Sequence, residues 1–366
     1  MSHSELRVIA YTGGHNAPSR VPRVQLYVPQ LESFGIELNE SASHAGLYPP
    51  DQKWKRPVWG LWNLLEHSVS VPQSYKYDVT LLQREMLSTF LTLEPLTKRP
   101  RILDVDDAIW VHRGGEFARR LTRLCDHVIC GNQFLAEEFS RFNPNVSVLP
   151  SSVDTREFFP STDKKNDGRL VIGWMGLHSG FRFLDEIKAA LQRILNMHPH
   201  AILQIISDKR PNFHGFPARQ VEFVPWSRES QVKLIQEMTI GIMPLDDTVV
   251  SRGKCSYKML LYMACGIPVV VSQIGMNAEV LQKGYVGLGA SSIDGWVTAL
   301  HELMSNPEQC SHMGRAGREV ILKHYSVDVL APKLAETLFK VSGRELPRRN
   351  LMHSNNGEEQ LSRCVG

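Results

Sequence analysis

The 366-residue chain lacks the usual marks of disulfide, zinc and membrane-spanning proteins. Its six cysteines form neither a Cys-x-x-Cys pair nor a Cys/His cluster with zinc spacing, so a reduced, cytoplasmic setting is expected. No apolar run approaches the roughly 20 residues that a membrane-spanning helix needs. The N-terminal segment has no apolar stretch of signal-peptide type before its first glycines. The inner face of a membrane remains open as an alternative location.

The chain also lacks a strong charge excess and a complete dinucleotide fingerprint. A net charge of +3 and a pI near 8.5 are too mild to predict nucleic-acid binding. Gly13 and Gly14 follow the strand pattern LRVIAY, but no full G-x-G-x-x-G is present, which removes the main support for a nicotinamide cofactor. The glycine pair itself fits either a plain tight turn or a ligand loop.

The length exceeds the size at which one hydrophobic core stops growing, which favours two domains. Short β-branched runs alternate with helical patterns in both halves, and this alternation is typical of doubly wound, Rossmann-like α/β domains. A polar, turn-rich stretch separates the halves. The predicted division is a first domain at 1–155, a linker at 156–169, a second domain at 170–325, a last helix at 326–342 and a patternless, disordered tail at 343–366.

The most informative stretch is RGKCSYKMLLYMACGIPVVVSQIGMNAE, which predicts a basic loop, a helix, an apolar strand and a second glycine loop. Lys254 and Lys258 are four residues apart and therefore share one helix face. Gly275 follows the strand, where backbone can approach a ligand closely. Ligands of open α/β sheets bind beyond the carboxyl ends of the strands, so the pattern predicts a phosphate-bearing ligand. Asn277 and Glu279 are then expected to hydrogen-bond hydroxyls of a sugar or ribose.

The segments GKCSYKMLLYMACGIPVVVS and IGMNAEVL resemble the C-terminal signature of glycosyltransferase family 4 (group 1), whose members are retaining enzymes of the GT-B fold. ILDVDDAIW, VIGWMG, VEFVPWS and IGIMPLDD resemble, in this order, a bacterial subgroup. The resemblance covers most of residues 6–340. Many members carry a Glu-x7-Glu motif over the basic helix, whereas this chain has Lys254 and Tyr262 at the two positions.

The resemblance implies two Rossmann-like domains facing across a cleft, with the acceptor on the first domain, the nucleotide sugar on the second and the last helix packed back on the first. It implies retaining transfer of a sugar from a nucleotide-diphosphate sugar to a hydroxyl of a glycan, a lipid-linked molecule or a small molecule, in bacterial glycan or glycoconjugate biosynthesis. Two alternatives stay open: a nucleotide-sugar 2-epimerase and a catalytically silent GT-B scaffold. Donor consumption with and without acceptor separates the three.

Sugar transfer of this kind requires positive groups that stabilise the departing diphosphate. The resemblance favours Lys254, Lys258 and Arg182 for that role. The residues expected to contact the donor are Gly13, Gly14, Gly176, Ser179, Gly275, Asn277 and Glu279. Arg20 and Arg23 are acceptor or anion contacts by resemblance, or else solvated arginines at a helix start.

Asp106 and Asp107 belong to the sequence DVDD at a predicted strand end. A D-x-D triplet can hold a divalent metal. The two-domain glycosyltransferases that this sequence resembles generally need no metal, so neither a metal nor another cofactor is expected. The two carboxylates then orient an acceptor hydroxyl or cap the next helix. His112, a few residues on, either lies near the reacting sugar, as a His of family members often does, or is a surface residue.

Trp54, Trp59 and Trp62 lie among basic residues in the sequence KWKRPVWGLWNLL. An aromatic, basic, partly amphipathic stretch can rest at a membrane interface, which would suit a lipid-linked acceptor. The alternative is a helix that buries its tryptophans in the first domain or forms an acceptor wall.

Overall fold

The computed structural model describes residues 6–14, 17–46, 49–162, 169–212, 215–217 and 219–347. The expected linker therefore lies partly, and the expected disordered tail mostly, outside the described residues. The chain divides into two compact units. One comprises the residues through Ser152 together with those from Val327 onward, and the other is Val153–Ser326.

The first unit is built on a parallel sheet of six strands in the order β2-β1-β3-β4-β5-β6. Its strands are β1 (Leu6–Thr12), β2 (Ile36–Ala42), β3 (Val79–Gln83), β4 (Arg101–Val105), β5 (His127–Cys130) and β6 (Val146–Val148). Its α-helices before Ser152 are α1 (Arg20–Arg23), α2 (Val28–Glu32), α3 (Arg56–Ser70), α4 (Glu116–Leu124) and α5 (Gln133–Phe139). Short 3-10 turns flank several of them, including Lys53–Lys55 and Val71–Lys76 around α3.

The second unit is built on another parallel six-stranded sheet, in the order β12-β11-β10-β7-β8-β9. Its strands are β7 (Leu170–Met175), β8 (Ala201–Ser207), β9 (Val221–Pro225), β10 (Ile240–Met243), β11 (Val269–Ser272) and β12 (Gly287–Ala290). Its helices are α6 (Phe181–Glu186), α7 (Lys188–Met197), α8 (Arg228–Gln236), α9 (Val249–Arg252), α10 (Tyr257–Ala264), α11 (Gly275–Leu281), α12 (Ile293–Ser305) and α13 (Pro307–His324).

Burial explains why these segments are strands. The central strands β7, β10 and β11 have the near-continuous apolar sequences LVIGWM, IGIM and VVVS, as expected for parallel strands covered on both faces. In the second unit the core joins these strands to α7 and α12, whose inward positions include Leu191, Ile194 and Leu300.

The last helix, α14 (Val327–Ser342), packs into the core of the first unit. Its apolar residues recur at helical spacing, and Leu330, Leu334 and Leu338 are fully or almost fully buried in the cluster that also contains residues of β1, β3 and α2. The chain thus leaves the first unit after Ser152 and returns to it at Val327.

Each sheet changes its direction of growth once. In the second unit the chain builds β8 and β9 on one side of β7, and then β10, β11 and β12 on the other side. In the first unit β2 lies on one side of β1, and all later strands lie on the other. Such a switch point opens a crevice at the carboxyl ends of the two strands beside it, which are β7 and β10 in the second unit.

Candidate functional site

The candidate site lies at the switch point of the second sheet. Strands β7 and β10 run parallel there, with Ile172 opposite Ile240 and Gly173 opposite Gly241. Gly176 is the first residue after β7, and Asp246 follows closely after β10. Lys254 lies in the segment before α10, and Lys258 is the second residue of that helix. The expectation that the two lysines share one helix face is therefore wrong, although the charge of Lys254 still acts on Lys258.

Lys258 lies directly against the backbone at the end of β7. A Cβ added to Gly176 would lie 3.0 Å from the Lys258 Nζ and 2.8 Å from the Trp174 ring. The same ammonium lies 4.9 Å from the centre of the Trp174 ring, within cation–π range. Gly176 is therefore required because Trp174 and Lys258 fill the space that a side chain would need.

Lys258 is held in an unfavourable place for a positive charge. Burial, and secondly the nearby charge of Lys254, lower the pKa of Lys258 from 10.5 to about 8. The ammonium is still mostly protonated at neutral pH, so its charge is retained at a cost. A ligand with negative charge would relieve that cost, because an opposite charge favours the ammonium.

The side chain of Asn277 connects several segments of this site by hydrogen bonds. Its side chain is fully buried. The hydroxyl of Ser256, the residue before α10, donates to Asn277 Oδ1 at 2.7 Å, and Asn277 Nδ2 donates to the carbonyls of Ser272 (3.2 Å) and Met243 (3.4 Å). The amide therefore joins the ends of β10 and β11 to the start of α10. This placement corrects the expectation that Asn277 contacts sugar hydroxyls, since both ends of its amide are used internally.

Gly275 begins α11 with φ = +49°, a backbone conformation that favours glycine. A Cβ there would approach the Arg252 carbonyl oxygen to 2.9 Å, so the loop after β11 passes close to the end of α9. Glu279 is half-buried on α11. Burial and, to a lesser extent, the charge of Glu279 raise the pKa of Tyr325 to about 12.

Tyr262 takes the second position of the Glu-x7-Glu motif, and it faces the protein interior. The ring is fully buried, and its hydroxyl accepts a hydrogen bond of 2.8 Å from the Met175 N–H at the end of β7. A Cβ on Gly241 would lie only 2.4 Å from that ring. Tyr262 thus fixes the backbone next to Gly176. A glutamate at this position would bury a carboxylate in the protein interior.

Arg182 and Ser179 lie on the segment after β7, and both are exposed. The Arg182 guanidinium is 3.6 Å from Asp246 and stacks over the Phe183 ring at 4.4 Å. Asp246 also accepts hydrogen bonds from the hydroxyls of Thr248 and Ser251. The acid after β10 therefore organises both the Arg182 segment and the start of α9.

Sequence reasoning missed Asp246 and a second polar group at this edge. Asp208 immediately follows β8 and accepts from the backbone and ring of His178 at 2.6 Å each, while Lys209 Nζ is 3.3 Å from the other ring nitrogen. Both missed acids come within three residues of a strand end, and that position is a signal visible in the sequence.

The candidates in the first unit have different surroundings. Gly14 has φ = +94°, and a Cβ there would lie 2.2 Å from the Ser43 carbonyl oxygen, so close backbone packing demands glycine. Gly13 is buried beside it. Arg20 donates twice to Glu40, at 2.5 and 2.7 Å.

Arg23 is not a solvated arginine, as one of the two alternatives supposed. Its guanidinium is buried against the carboxylate of Asp104 and also donates to the Leu149 carbonyl. The carboxylate of Asp104 already neutralises the charge that an acceptor contact by Arg23 would use.

The DVDD carboxylates point to different partners. Asp104 belongs to the Arg23 pair, whereas Asp107 Oδ1 accepts from the Ala108 N–H at 3.0 Å and lies 4.0 Å from Arg84. Burial raises the pKa of Asp106. His112 is exposed and has extended backbone (φ −86°, ψ 139°) at a kink in the segment Ile109–Gly115. Within the described ranges, no three His, Cys, Asp or Glu side chains are grouped as metal ligands would be.

The tryptophans around α3 contradict the expectation of burial. Trp54 is 74% exposed and Trp62 60% exposed. Only Trp59 is half-buried, and its Nε1 donates to the Ala45 carbonyl at 3.0 Å. None of the helices in the described part of the chain combines the length and apolar character needed to cross a membrane.

The second unit, which contains this site, resembles known proteins in sequence. Residues 170–306 match the family model described as glycosyl transferases group 1, and they include the whole Lys254–Lys258 neighbourhood. Over 88 residues the chain is 33% identical to the GDP-mannose-dependent alpha-(1-6)-phosphatidylinositol monomannoside mannosyltransferase of Mycolicibacterium smegmatis. The match spans 24% of this chain and only 22% of that enzyme.

Among solved structures, Anabaena HepE in complex with UDP and glucose is similar at a TM-score of 0.66 and 12% identity, over 91% of this chain and 99% of that one. Sucrose-phosphate synthase from Thermosynechococcus elongatus is similar at 0.65 and 13%, over 91% and 98%. At such identities these similarities concern the fold alone. They confirm the predicted fold class: the chain is an α/β protein of the GT-B type, with two parallel six-stranded sheets.

Proposed function

We propose that this protein is a retaining glycosyltransferase that moves a sugar from a nucleotide-diphosphate sugar to an acceptor hydroxyl, in bacterial glycan or glycoconjugate biosynthesis. The observation that carries the proposal is the Lys258 ammonium, held against Gly176 beside the switch point of the second sheet. The family-model match over residues 170–306 supports it. The retaining outcome rests on the sequence resemblance to family 4.

The chemistry explains why a partly buried lysine would be kept here. As the bond between sugar and diphosphate breaks, negative charge grows on the leaving phosphate, and a preorganised cation lowers the barrier without moving. The neighbouring charge that, after burial, lowers the pKa of Lys258 is that of Lys254. A diphosphate would neutralise both ammonium groups.

The remaining roles are proposed from where each residue lies. Lys254 and Arg182 would add charge on the side of the diphosphate, and Ser179 and Gly275 would offer hydrogen-bond donors or close backbone. Glu279 would accept from hydroxyls of the ribose or sugar. Asn277 and Tyr262 act as positioning residues, because both are buried and hydrogen-bonded to backbone.

The acceptor is proposed to bind the first unit. Asp106, Asp107 and His112 follow the carboxyl end of β4. Carboxylates that flank a strand end can orient an acceptor hydroxyl. We propose no metal or other cofactor.

Two donor nucleotides deserve testing first. The mycobacterial relative is named as dependent on GDP-mannose, and the Anabaena neighbour was crystallised with UDP and glucose. Calorimetric titration of the whole protein with GDP, UDP and their sugar conjugates would identify the base. We expect one nucleoside diphosphate to bind and to raise the melting temperature by mass action.

The decisive variant is Lys258→Met, which keeps the length of the side chain and removes the charge. A charge-assisted hydrogen bond contributes about 1.5–3 kcal/mol, so affinity for the diphosphate should fall by roughly tenfold to a hundredfold. Lys283→Met removes an exposed lysine of the same unit and is the matched control. Unchanged affinity in Lys258→Met, with a confirmed ligand, would refute the proposed role.

A silent scaffold is the second candidate, and Tyr262 in place of a glutamate is the observation that favours it. A scaffold binds the diphosphate with the same dependence on Lys258 but does not consume the sugar conjugate. Measuring donor consumption in the presence of a panel of glycan and lipid acceptors distinguishes the two functions.

A further inference from the structure

Helix α3 has its apolar face turned outward. The exposed side chains Val58, Leu61, Trp62, Leu65 and Val69 recur at spacings of three and four and therefore form one stripe. Each of the five is at least 55% exposed. A helix on the surface of a water-soluble domain normally buries such a stripe, so the orientation of α3 is reversed.

The inward face of the same helix is polar. Asn63 and His67 are buried, and Asn63 Nδ2 donates to the Gly46 carbonyl at 3.1 Å. Glu66 accepts from the backbone N–H of His44 at 2.8 Å and from its ring at 2.6 Å. Hydrogen bonds to the loop after β2 therefore fix α3 in this orientation, and its apolar stripe makes little contribution to the core.

Basic residues surround the outward stripe. Lys53, Lys55 and Arg56 are all exposed at the helix start, next to Trp54, and the Lys55 ammonium lies 5.2 Å from the centre of a Trp54 ring. Between residues 52 and 76 the sequence holds one acidic residue, Glu66, which belongs to the inward face. The exposed surface of α3 is thus apolar along its length and cationic at its start.

A groove of about 490 Å³ runs beside the stripe and extends it. Its apolar lining comes from Ala42, Trp62, Leu65 and Val69. Two carboxylates also line the groove, and both have partners: Glu40 is bound to Arg20, and Glu66 accepts from His44. The groove therefore offers apolar surface in continuity with the exposed helix face.

We propose that α3 docks this protein on an anionic lipid bilayer, with its outward stripe in the interface and Lys53, Lys55 and Arg56 at the lipid phosphates. An apolar face flanked by lysine, arginine and tryptophan has the composition of helices that lie in the plane of a membrane surface. A second copy of the chain would bring the same cations to the contact, whereas an anionic bilayer neutralises them. The proposal goes beyond the proposed function, because it concerns location and needs no sugar transfer.

Vesicle co-sedimentation of the whole protein tests it. Vesicles of phosphatidylcholine mixed with phosphatidylglycerol should bind the protein, and vesicles of phosphatidylcholine alone should bind it at least several-fold more weakly. Binding should weaken as salt is added, since salt screens the lipid charge. Equal binding to both vesicles, or none to the anionic ones, would overturn the proposal.

The double variant Trp62→Ser with Leu65→Ser removes the middle of the stripe. The two substitutions remove apolar area from the membrane interface, so binding to anionic vesicles should fall by at least roughly tenfold. The matched control is Leu96→Ser with Trp226→Ser, which removes two apolar side chains that are 58% and 49% exposed elsewhere. Circular dichroism must show the same melting behaviour for both double variants.

Two further results would contradict membrane docking. One is a stripe variant that binds anionic vesicles as well as wild type does. The other is a wild-type dimer, seen by sedimentation, that the stripe variant converts to a monomer while vesicle binding is absent throughout. The vesicle assay contains no nucleotide, so its outcome is independent of diphosphate binding at Lys258.

Discussion

The positive side chains at the carboxyl edges of the two sheets have different surroundings. At the edge of the first sheet the Arg23 guanidinium is buried against Asp104, and Arg20 is bound twice by Glu40. Each cation has a carboxylate partner inside the same unit. The ion pairs at this edge therefore stabilise the first unit itself.

At the edge of the second sheet, Lys258 rests on the Trp174 ring, and the neighbouring charge that lowers its pKa is another cation, Lys254. A fold gains nothing by crowding two ammonium groups, since like charges disfavour each other's protonation. A cation with a buried carboxylate partner serves the stability of the fold, whereas a buried ammonium whose pKa is lowered marks a place where an anion is expected to bind.

The largest expected effect concerns the first edge. Asp104→Ala would leave the Arg23 guanidinium buried without its carboxylate, and breaking a buried pair in this way costs about 3–5 kcal/mol. We expect the urea midpoint for unfolding of the first unit to fall accordingly, with no change in diphosphate affinity. Arg99→Ala, which breaks an exposed pair with Asp126, is the control and should have a small effect. Equal effects of the two substitutions would show that the buried Arg23–Asp104 pair does not stabilise the first unit.

An intermediate effect is expected from pH at the second edge. The folded-state pKa of Lys258, about 8, lies below its ordinary 10.5, so folding disfavours the ammonium. That cost to stability is complete below pH 8 and disappears as the pH rises toward 10.5. Lys258→Met should therefore be at least as stable as wild type at neutral pH and lose any advantage across this window. Thermal unfolding of both proteins in matched buffers measures the difference.

Ligand affinity has its own pH dependence with the same origin. As the pH rises through about 8, free Lys258 loses its proton, so wild type should bind the diphosphate more weakly while Lys258→Met changes less. Parallel pH profiles for the two proteins would show that Lys258 does not face the ligand.

The sequence predicts the fold because strand and helix patterns are local. The alternation of apolar strands and helices indicates two α/β units. The four-residue spacing of Lys254 and Lys258 predicts a shared helix face, but α10 begins only at Tyr257, so this prediction is wrong. The Arg23–Asp104 pair joins residues 81 positions apart, so no local pattern could reveal it. The partners of the Asn277 amide, Met243 and Ser256, are likewise distant in sequence. The local pattern therefore does not show that the amide is used inside the fold, and it points to a ligand instead.

Helix α3 shows a different limit of sequence reasoning. Periodicity identifies the apolar stripe but does not say which side of the helix faces the core. The polar stripe faces inward here because Asn63 and Glu66 find partners in the loop after β2, about 20 positions earlier in the chain. Amphipathic spacing is thus sufficient for a helix and insufficient for its orientation.

The substitution with the least expected effect is at Arg182, on the edge of the second sheet. Arg182 is exposed and already has Asp246 at 3.6 Å, so it resembles the paired cations of the first edge more than it resembles Lys258. Exposed ion pairs contribute about 0.2–1 kcal/mol, and Arg182→Met should therefore weaken diphosphate binding only about two- to threefold. Arg193→Met, which removes an equally exposed arginine paired with Asp294, is the control for calorimetric titration and should bind normally. A loss in Arg182→Met as large as that in Lys258→Met would show that pairing within the fold does not predict which cations serve the ligand.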